Sequence, residues 1–127
     1  MNYLLDTHAF IWLIEDSPKM PSTIKNMITS SENVKYLCSI SLWEIAIKMS
    51  LGKLKLGITF IELLSIIKNS ELKILHIEDK YLQRLLDLPF LHKDPFDRLL
   101  ISSAVADDLT IITIDENIHQ YDVAWVW

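Results

Sequence analysis

Short, almost wholly apolar segments alternate along the chain with longer segments in which apolar residues recur at helical spacing. The short segments are typical of strands that are covered on both faces of a sheet. They predict five strands, at residues 2–6, 34–39, 73–77, 110–114 and 123–127.

The predicted helices lie between these strands. Residues 41–51 place Leu42, Ile45, Ala46 and Met49 on one stripe with the spacing i, i+3, i+4, i+7. Comparable patterns predict helices at residues 21–30, 59–70, 78–88 and 94–107. Strands that alternate with helices imply a parallel sheet with right-handed crossovers. We therefore predict an α/β fold.

Composition narrows the class of protein. A chain of 127 residues, half of them hydrophobic, fits one domain (1–127) with a sizeable core. No apolar run reaches the roughly 18 residues of a membrane-spanning helix, and the N-terminus does not resemble a secretory signal. The net charge of −5 argues against a broad nucleic-acid-coating surface. It suits a cationic partner and leaves room for a bound cation.

Two residue types exclude further classes. The only cysteine, Cys38, cannot form an internal disulfide and is expected to be a reduced core residue, which favours a cytoplasmic location. The two glycines, Gly52 and Gly57, form no glycine-rich phosphate loop, so the sequence does not support nucleotide binding of the Rossmann or Walker type.

Four acidic residues stand where an apolar segment meets a helix start: Asp6, Glu44, Asp97 and Asp115. In an open α/β sheet these junctions lie at the carboxyl ends of the strands, where such sheets bind ligands. Carboxylates gathered there would repel one another unless a hard cation such as Mg²⁺ joined them. Acidic clusters around Mg²⁺ or Mn²⁺ are typical of phosphodiester cleavage, so the first hypothesis is a metal-dependent nuclease.

Helix capping offers an alternative explanation for two of these acids. Ser41 and Glu44 match the capping box S-x-x-E, which alone could account for Glu44. Asp94 is expected to be an N-cap, with Pro95 at the first helical position, and Asp97 could then merely complement the helix dipole.

The other two acids have weaker alternatives. Asp115 could start a turn, whereas Asp6 ends a buried strand, where an unpaired charge is costly and Thr7 could have capped the helix instead. Capping does not require that all four acids converge on one cleft, so their shared placement favours a site.

Other polar residues are weaker candidates. Thr113 could orient a carboxylate or a metal-bound water, although a β-branched residue is also ordinary in a strand. Arg98 and the lysines at 48, 53 and 55 could contact phosphates, and solvated helix faces explain the lysines equally well. His8 and His92 lack the close spacing of a zinc site and are expected to be local hydrogen-bond partners.

Four blocks, taken in order, resemble the PIN-domain proteins, and among them the VapC-type toxins of toxin–antitoxin pairs. They are LLDTHAFIW at 4–12, SLWEIAIK at 41–48 with GKL at 52–54, HKDPFDRLLI at 92–101 and TID at 113–115. The resemblance runs from end to end, and the block at 92–101 is its most specific part. One mild departure is Ser103, where relatives often carry glutamine or threonine.

The resemblance implies a three-layer α/β/α sandwich around a mainly parallel sheet, and Mg²⁺- or Mn²⁺-dependent cleavage of RNA. It also implies a homodimer and inhibition by a small DNA-binding antitoxin. Asp6, Glu44, Asp97 and Asp115 match the family's metal-binding positions, and Thr7 and Thr113 match supporting ones.

Three other functions stay open at this point. A PIN-like binding module would use its acids without catalysis, and a housekeeping RNA-processing nuclease would share the site without an antitoxin. A phosphatase with an aspartyl nucleophile uses Asp-x-Asp after its first strand, and His8 at the second of these positions argues against it.

Overall fold

The computed structural model describes all 127 residues and contains one sheet of five parallel strands. The spatial order is β3-β2-β1-β4-β5, which places β1 at the centre. The strands are β1 (Asn2–Leu5), β2 (Val34–Cys38), β3 (Lys73–Leu75), β4 (Thr110–Ile112) and β5 (Trp125–Val126). All five predicted strands are therefore present, and the sheet is wholly rather than mainly parallel.

Helices cover both faces of this sheet. They are α1 (Thr7–Ile14), α2 (Ser22–Thr29), α3 (Ser39–Ser50), α4 (Phe60–Lys68), α5 (Asp79–Asp87), α6 (Pro95–Asp107) and α7 (Glu116–His119). Successive residues of β1 enter opposite cores, as the two-residue period of a strand requires. Leu5 packs with Phe10 and Leu63 on one face, and Leu4 packs with Tyr81 on the other. The predicted three-layer α/β/α sandwich is confirmed.

The structure differs from the predicted elements mainly at their ends. Helices α1 and α7 were not predicted as segments: α1 is apolar nearly all round and so lacks a clear helical stripe, and α7 is a single turn. The strands stop one or two residues earlier than predicted, because residues such as Asp6 and Thr113 already turn into the following loop or helix. These short strands leave the candidate acids just beyond the sheet.

One further sequence expectation concerns the burial of Cys38. Cys38 is fully buried, as predicted, and burial raises the pKa of its thiol. None of the helices has both the length and the apolar character needed to cross a membrane.

Candidate metal centre at the carboxyl edge of the sheet

Asp6 lies in the first turn after the central strand and is only 4% exposed. Its Oδ1 accepts a hydrogen bond from the Ala9 amide at 2.7 Å, which caps α1. Its Oδ2 accepts one from the hydroxyl of Thr113. Asp6, and not Thr7, is therefore the N-cap, and both of its oxygens are held in place.

Asp115 follows β4, which pairs with β1, and so lies at the same edge of the sheet. Its backbone amide donates to Thr113 Oγ1 at 3.0 Å, and its Oδ1 caps α7 by accepting from the Asn117 amide at 2.9 Å. Thr113 thus links Asp115 to Asp6. The turn that Asp115 was expected to start is the N-terminus of a one-turn helix.

Glu44 is joined to the residue after Asp6 by a chain of hydroxyl groups. Thr7 Oγ1 lies 2.7 Å from Glu44 Oε1 and 2.9 Å from Ser41 Oγ. Because Thr7 has a single hydroxyl proton, it donates to the carboxylate and accepts from the buried Ser41. The other oxygen of Glu44 pairs with Lys48 Nζ at 2.9 Å.

The capping-box explanation of Glu44 is wrong. Helix α3 begins at Ser39, two residues earlier than predicted, and its N-cap, Cys38, makes no side-chain capping bond. Ser41 is consequently inside the helix, where its hydroxyl faces Thr7. A capping box does occur in the chain, formed by Thr59 and Glu62 at the start of α4.

Asp97 lies in the first turn of α6, whose N-cap is Asp94 as predicted. Asp94 Oδ1 accepts from the amides of Phe96 and Asp97 at 2.9 and 3.1 Å. Asp97 Oδ2 is 3.1 Å from His92 Nε2. The rings of Trp43 and Phe96 meet edge to face, 5.6 Å apart, and so bring the starts of α3 and α6 together.

The charge of Asp115 acts on both Asp6 and Asp97, so these three carboxyls share one neighbourhood. Burial raises the pKa of Asp6, and the charge of Asp115 adds to the rise, against the lowering effect of the Thr113 and Ala9 hydrogen bonds and of nearby His8. Burial also raises the pKa of Asp97, to about 7; the charges of Asp94 and Asp115 add to it, and the hydrogen bond with His92 opposes it. Asp115 therefore acts on both carboxyls.

The donors fit a hard divalent cation, which would relieve this repulsion. In the structure, no three His, Cys, Asp or Glu side chains are grouped so that they could hold one metal ion together. Such a set is not needed for Mg²⁺, because Mg²⁺ keeps several waters and is usually held by one or two protein carboxylates. Asp97 Oδ1 and Asp115 Oδ2 accept no hydrogen bond from the protein, whereas each Asp6 oxygen accepts one and would use its remaining lone pair for a cation.

Arg98 does not meet the expectation of a phosphate contact. Its side chain is buried, and its guanidinium donates to the carbonyl oxygens of Pro89 and Leu88 and to the hydroxyl of Tyr121. It also stacks over Phe90, with 4.0 Å between the guanidinium carbon and the ring centroid. Arg98 anchors the loop that precedes α6.

Sequence reasoning missed two polar residues of this region. Ser41 was taken as a cap, although its spacing of three from Glu44 would have placed both on one helical face. Tyr121, which contacts His92 and Arg98, gave no signal in the sequence because its partners lie more than 20 positions away.

Comparisons with known proteins agree with the fold. A chain of VapBC2 from Rickettsia felis, solved bound to a DNA fragment from their promoter, superposes with a TM-score of 0.75 at 21% identity, covering 99% of this chain and 98% of that one. VapBC-1 from nontypeable Haemophilus influenzae gives 0.70 at 18% identity, with coverages of 99% and 97%. FitAcB from Neisseria gonorrhoeae gives 0.69 at 19% identity, with coverages of 98% and 96%.

The sequence comparisons identify the family. Curated protein sequences gave no significant match. The sequence model of the PIN domain matches residues 3–124, which is nearly the whole chain and includes all four acidic positions. The protein therefore belongs to the PIN-domain family.

Proposed function

We propose that this protein is a Mg²⁺- or Mn²⁺-dependent endoribonuclease and the toxin of a toxin–antitoxin pair. Two observations support the proposal: the charge of Asp115 acts on both Asp6 and Asp97, and Glu44 is hydrogen-bonded to Thr7, the residue after Asp6. Asp6 and Asp115 also cap helices, but capping alone does not require carboxyls from different strands to act on one another. The PIN-domain match and the VapBC fold support the same conclusion.

In this proposal each acid has a part in holding the cation. Asp6 and Asp97 are the main ligands, and Glu44 and Asp115 complete the site directly or through water. A bound divalent cation would supply an activated water and would polarise the scissile phosphate. No covalent intermediate between enzyme and RNA is required.

The chain's own side chains prepare the site. Thr113 and Thr7 donate hydrogen bonds to Asp6 and Glu44 and so fix the direction of the carboxylates. Asp94 caps α6 and sets the turn that carries Asp97. Lys48, paired with Glu44 and 39% exposed, is the cation best placed to meet an RNA phosphate at this edge.

The test is an RNA cleavage assay with the purified chain, free of any antitoxin. We expect cleavage of single-stranded RNA with Mg²⁺ or Mn²⁺ and none with EDTA. Asp6→Asn and Asp97→Asn should abolish it. Asp108→Asn is the matched control, because Asp108 is exposed and has a left-handed backbone that asparagine tolerates. A folded wild-type protein that binds the metal yet leaves RNA intact would instead be a PIN-like binding module.

An apolar groove on the surface supports an antitoxin partner, as the fold does. An apolar groove of about 380 Å³ lies between α1, α2 and α4, and its lining includes Leu13, Ile14, Ile28 and Ile66. Its lining also includes Lys35 and Glu71, at the amino ends of β2 and β3, so the groove lies at the edge of the sheet opposite the acids, and α1, about 12 Å long, connects the two edges. We propose that an amphipathic segment of the antitoxin fills this α1–α2–α4 groove and places an Arg or Lys among the four acids.

Three parts of the proposal remain. One PIN domain over residues 1–127 is proposed from the length of the chain, a cytoplasmic location from its single cysteine, and a homodimer from the family resemblance. Sedimentation velocity tests the dimer. The neighbouring gene separates a toxin from a housekeeping nuclease, since a toxin gene should lie beside a short reading frame for a DNA-binding antitoxin.

A further inference from the structure

A tyrosine hydroxyl lies at the centre of a hydrogen-bond network behind Asp97. The Tyr121 oxygen is 3.2 Å from the backbone nitrogens of Leu91 and His92 and 3.1 Å from Arg98 Nη1. It is also 2.8 Å from Nδ1 of the His92 ring. Tyr121 and Arg98 are both buried, so this network is shielded from competing water.

The proton positions in this network follow from counting donors. The two backbone amides and the guanidinium can only donate, whereas a tyrosine hydroxyl has one proton to give and two lone pairs. The only acceptor within reach of the Tyr121 proton is His92 Nδ1. The three donors already share the two lone pairs of the Tyr121 oxygen. If Nδ1 also carried a proton, four donors would face that oxygen, and the hydroxyl proton would have no acceptor.

His92 Nδ1 is therefore unprotonated, and the neutral ring carries its proton on Nε2. That nitrogen is 3.1 Å from Asp97 Oδ2, so His92 donates to the carboxylate. The His92 side chain is only 13% exposed, and its ring meets that of Tyr121 edge to face at 5.4 Å. Ring and carboxylate are consequently held in one arrangement.

We propose that His92, fixed in the Nε2–H tautomer by Tyr121, is a positioning residue that occupies Asp97 Oδ2 and leaves Oδ1 for a divalent cation. The inference rests on the proposed metal-dependent function and adds residues to that site. In this inference His92, the histidine of the HKDPFDR block, acts by orienting Asp97 and contacts neither the cation nor the RNA. Partners that orient metal ligands in this way typically contribute about 10- to 100-fold in metal affinity or activity.

The first measurement is the tautomer of His92, read from the two ring nitrogens by two-bond ¹H–¹⁵N NMR of the metal-free protein. We expect an unprotonated Nδ1 and a protonated Nε2 in the wild type, and a loss of this preference in Tyr121→Phe. Tyr81→Phe is the matched control: it also removes a hydrogen-bonded hydroxyl from a buried tyrosine, but one that donates to Asp107, away from the acids. A wild-type ring protonated on Nδ1 would overturn the proposal.

The second measurement is the Kd for Mn²⁺ by calorimetry, paired with RNA cleavage across Mn²⁺ concentrations. Tyr121→Phe and His92→Ala should raise Kd by about 10- to 100-fold, and much of the lost cleavage should return at saturating Mn²⁺. His92→Gln, which keeps a donor near the position of Nε2, should retain more affinity than His92→Ala. Tyr81→Phe should keep the wild-type Kd.

The outcomes separate this inference from the proposed function. A wild type that binds no Mn²⁺ would overturn the proposed function and the role of His92 with it. A wild type that binds Mn²⁺ with an affinity unchanged by Tyr121→Phe would overturn the role of His92 alone.

Discussion

The hydroxyl of Thr113 donates a hydrogen bond to Asp6 Oδ2, although the two residues stand 107 positions apart in the chain. Parallel pairing of β1 with β4 sets Leu5 beside Ile112, so the next residue of each strand leaves the sheet at the same edge. The same hydroxyl accepts from the Asp115 amide. One side chain thus ties together acids that follow two different strands.

Replacing Thr113 with valine tests this link. Thr113→Val keeps the shape of the side chain but leaves the buried Asp6 without one of its two donors. We expect a loss of about 1–3 kcal/mol in the free energy of unfolding and a fall of about 10- to 100-fold in metal-dependent cleavage. Chemical denaturation and a cleavage assay measure the two effects. Thr110→Val, on the same strand but away from the acids, should change neither; equal effects of both variants would show that Thr113 has no special part in the site.

Replacing Glu44 with glutamine separates a site residue from a capping residue. Glu44→Gln keeps an acceptor for Thr7 but loses the charge and the pair with Lys48, which is worth about 1 kcal/mol or less. Stability should change little, while cleavage should fall by about 100-fold or more. Glu62→Gln is the comparison, because glutamine also serves in a capping box and should leave both properties intact. Full cleavage by Glu44→Gln would remove Glu44 from the site.

The metal-free protein should lose stability as the pH rises through the titration of Asp97. The folded pKa is about 7 and the ordinary value 3.8, so between them the folded protein binds more protons than the unfolded chain. The free energy of unfolding then falls with rising pH over this range. Asp97→Asn removes the titration and in EDTA should exceed the wild type at pH 8 by about 1–2 kcal/mol, a gap that closes towards pH 4.

Denaturation curves of both proteins in EDTA at several pH values measure this gap. Asp108→Asn should show none, because Asp108 is exposed. Saturating Mn²⁺ should reverse the order at pH 8, since a cation that binds only the folded wild type adds RT ln(1 + [L]/Kd) to its stability. A difference in unfolding free energy that does not vary with pH would show that the pKa of Asp97 is not raised in the folded protein.

The α1–α2–α4 groove can be tested apart from catalysis. Ile66 lines the groove and is 44% exposed, whereas Ile61 on the same helix is 79% exposed and lies outside the lining. Ile66→Asp should weaken binding of the antitoxin by at least about 10-fold, because a charge would have to enter an apolar interface. Ile61→Asp should bind normally, and both variants should still cut RNA when free. Normal antitoxin binding by Ile66→Asp would place the partner elsewhere.

The sequence predicted the α/β fold because the strands and most helices have clear periods. Asp6 and Asp115 could be placed at one edge because each directly follows an apolar strand. The limits appear where tertiary contacts decide. The pattern S-x-x-E placed the start of a helix at Ser41, yet α3 begins earlier and Ser41 instead faces Thr7. Local signals of this kind do not register a partner from a distant part of the chain.

Arg98 and Tyr121 illustrate the same limit. Arg98 follows Asp97 directly, but successive residues of a helix point about 100° apart, so the guanidinium turns away from the acids and into the core. Tyr121 meets His92 across 29 positions, and no local pattern encodes that contact. The places of the acids at strand ends and helix starts could be predicted, whereas the groups that contact them depend on packing.

The position of a bound cation tests the central claim most directly. Crystals of the protein soaked in Mn²⁺ and measured near the manganese absorption edge give the location of the ion without assumptions about activity. We predict an anomalous peak at the carboxyl edge of the sheet, bonded to Asp6 and Asp97 and absent from Asp6→Asn. A peak only elsewhere on the surface, from wild-type protein that cuts RNA, would contradict the assignment of the four acids as the metal centre.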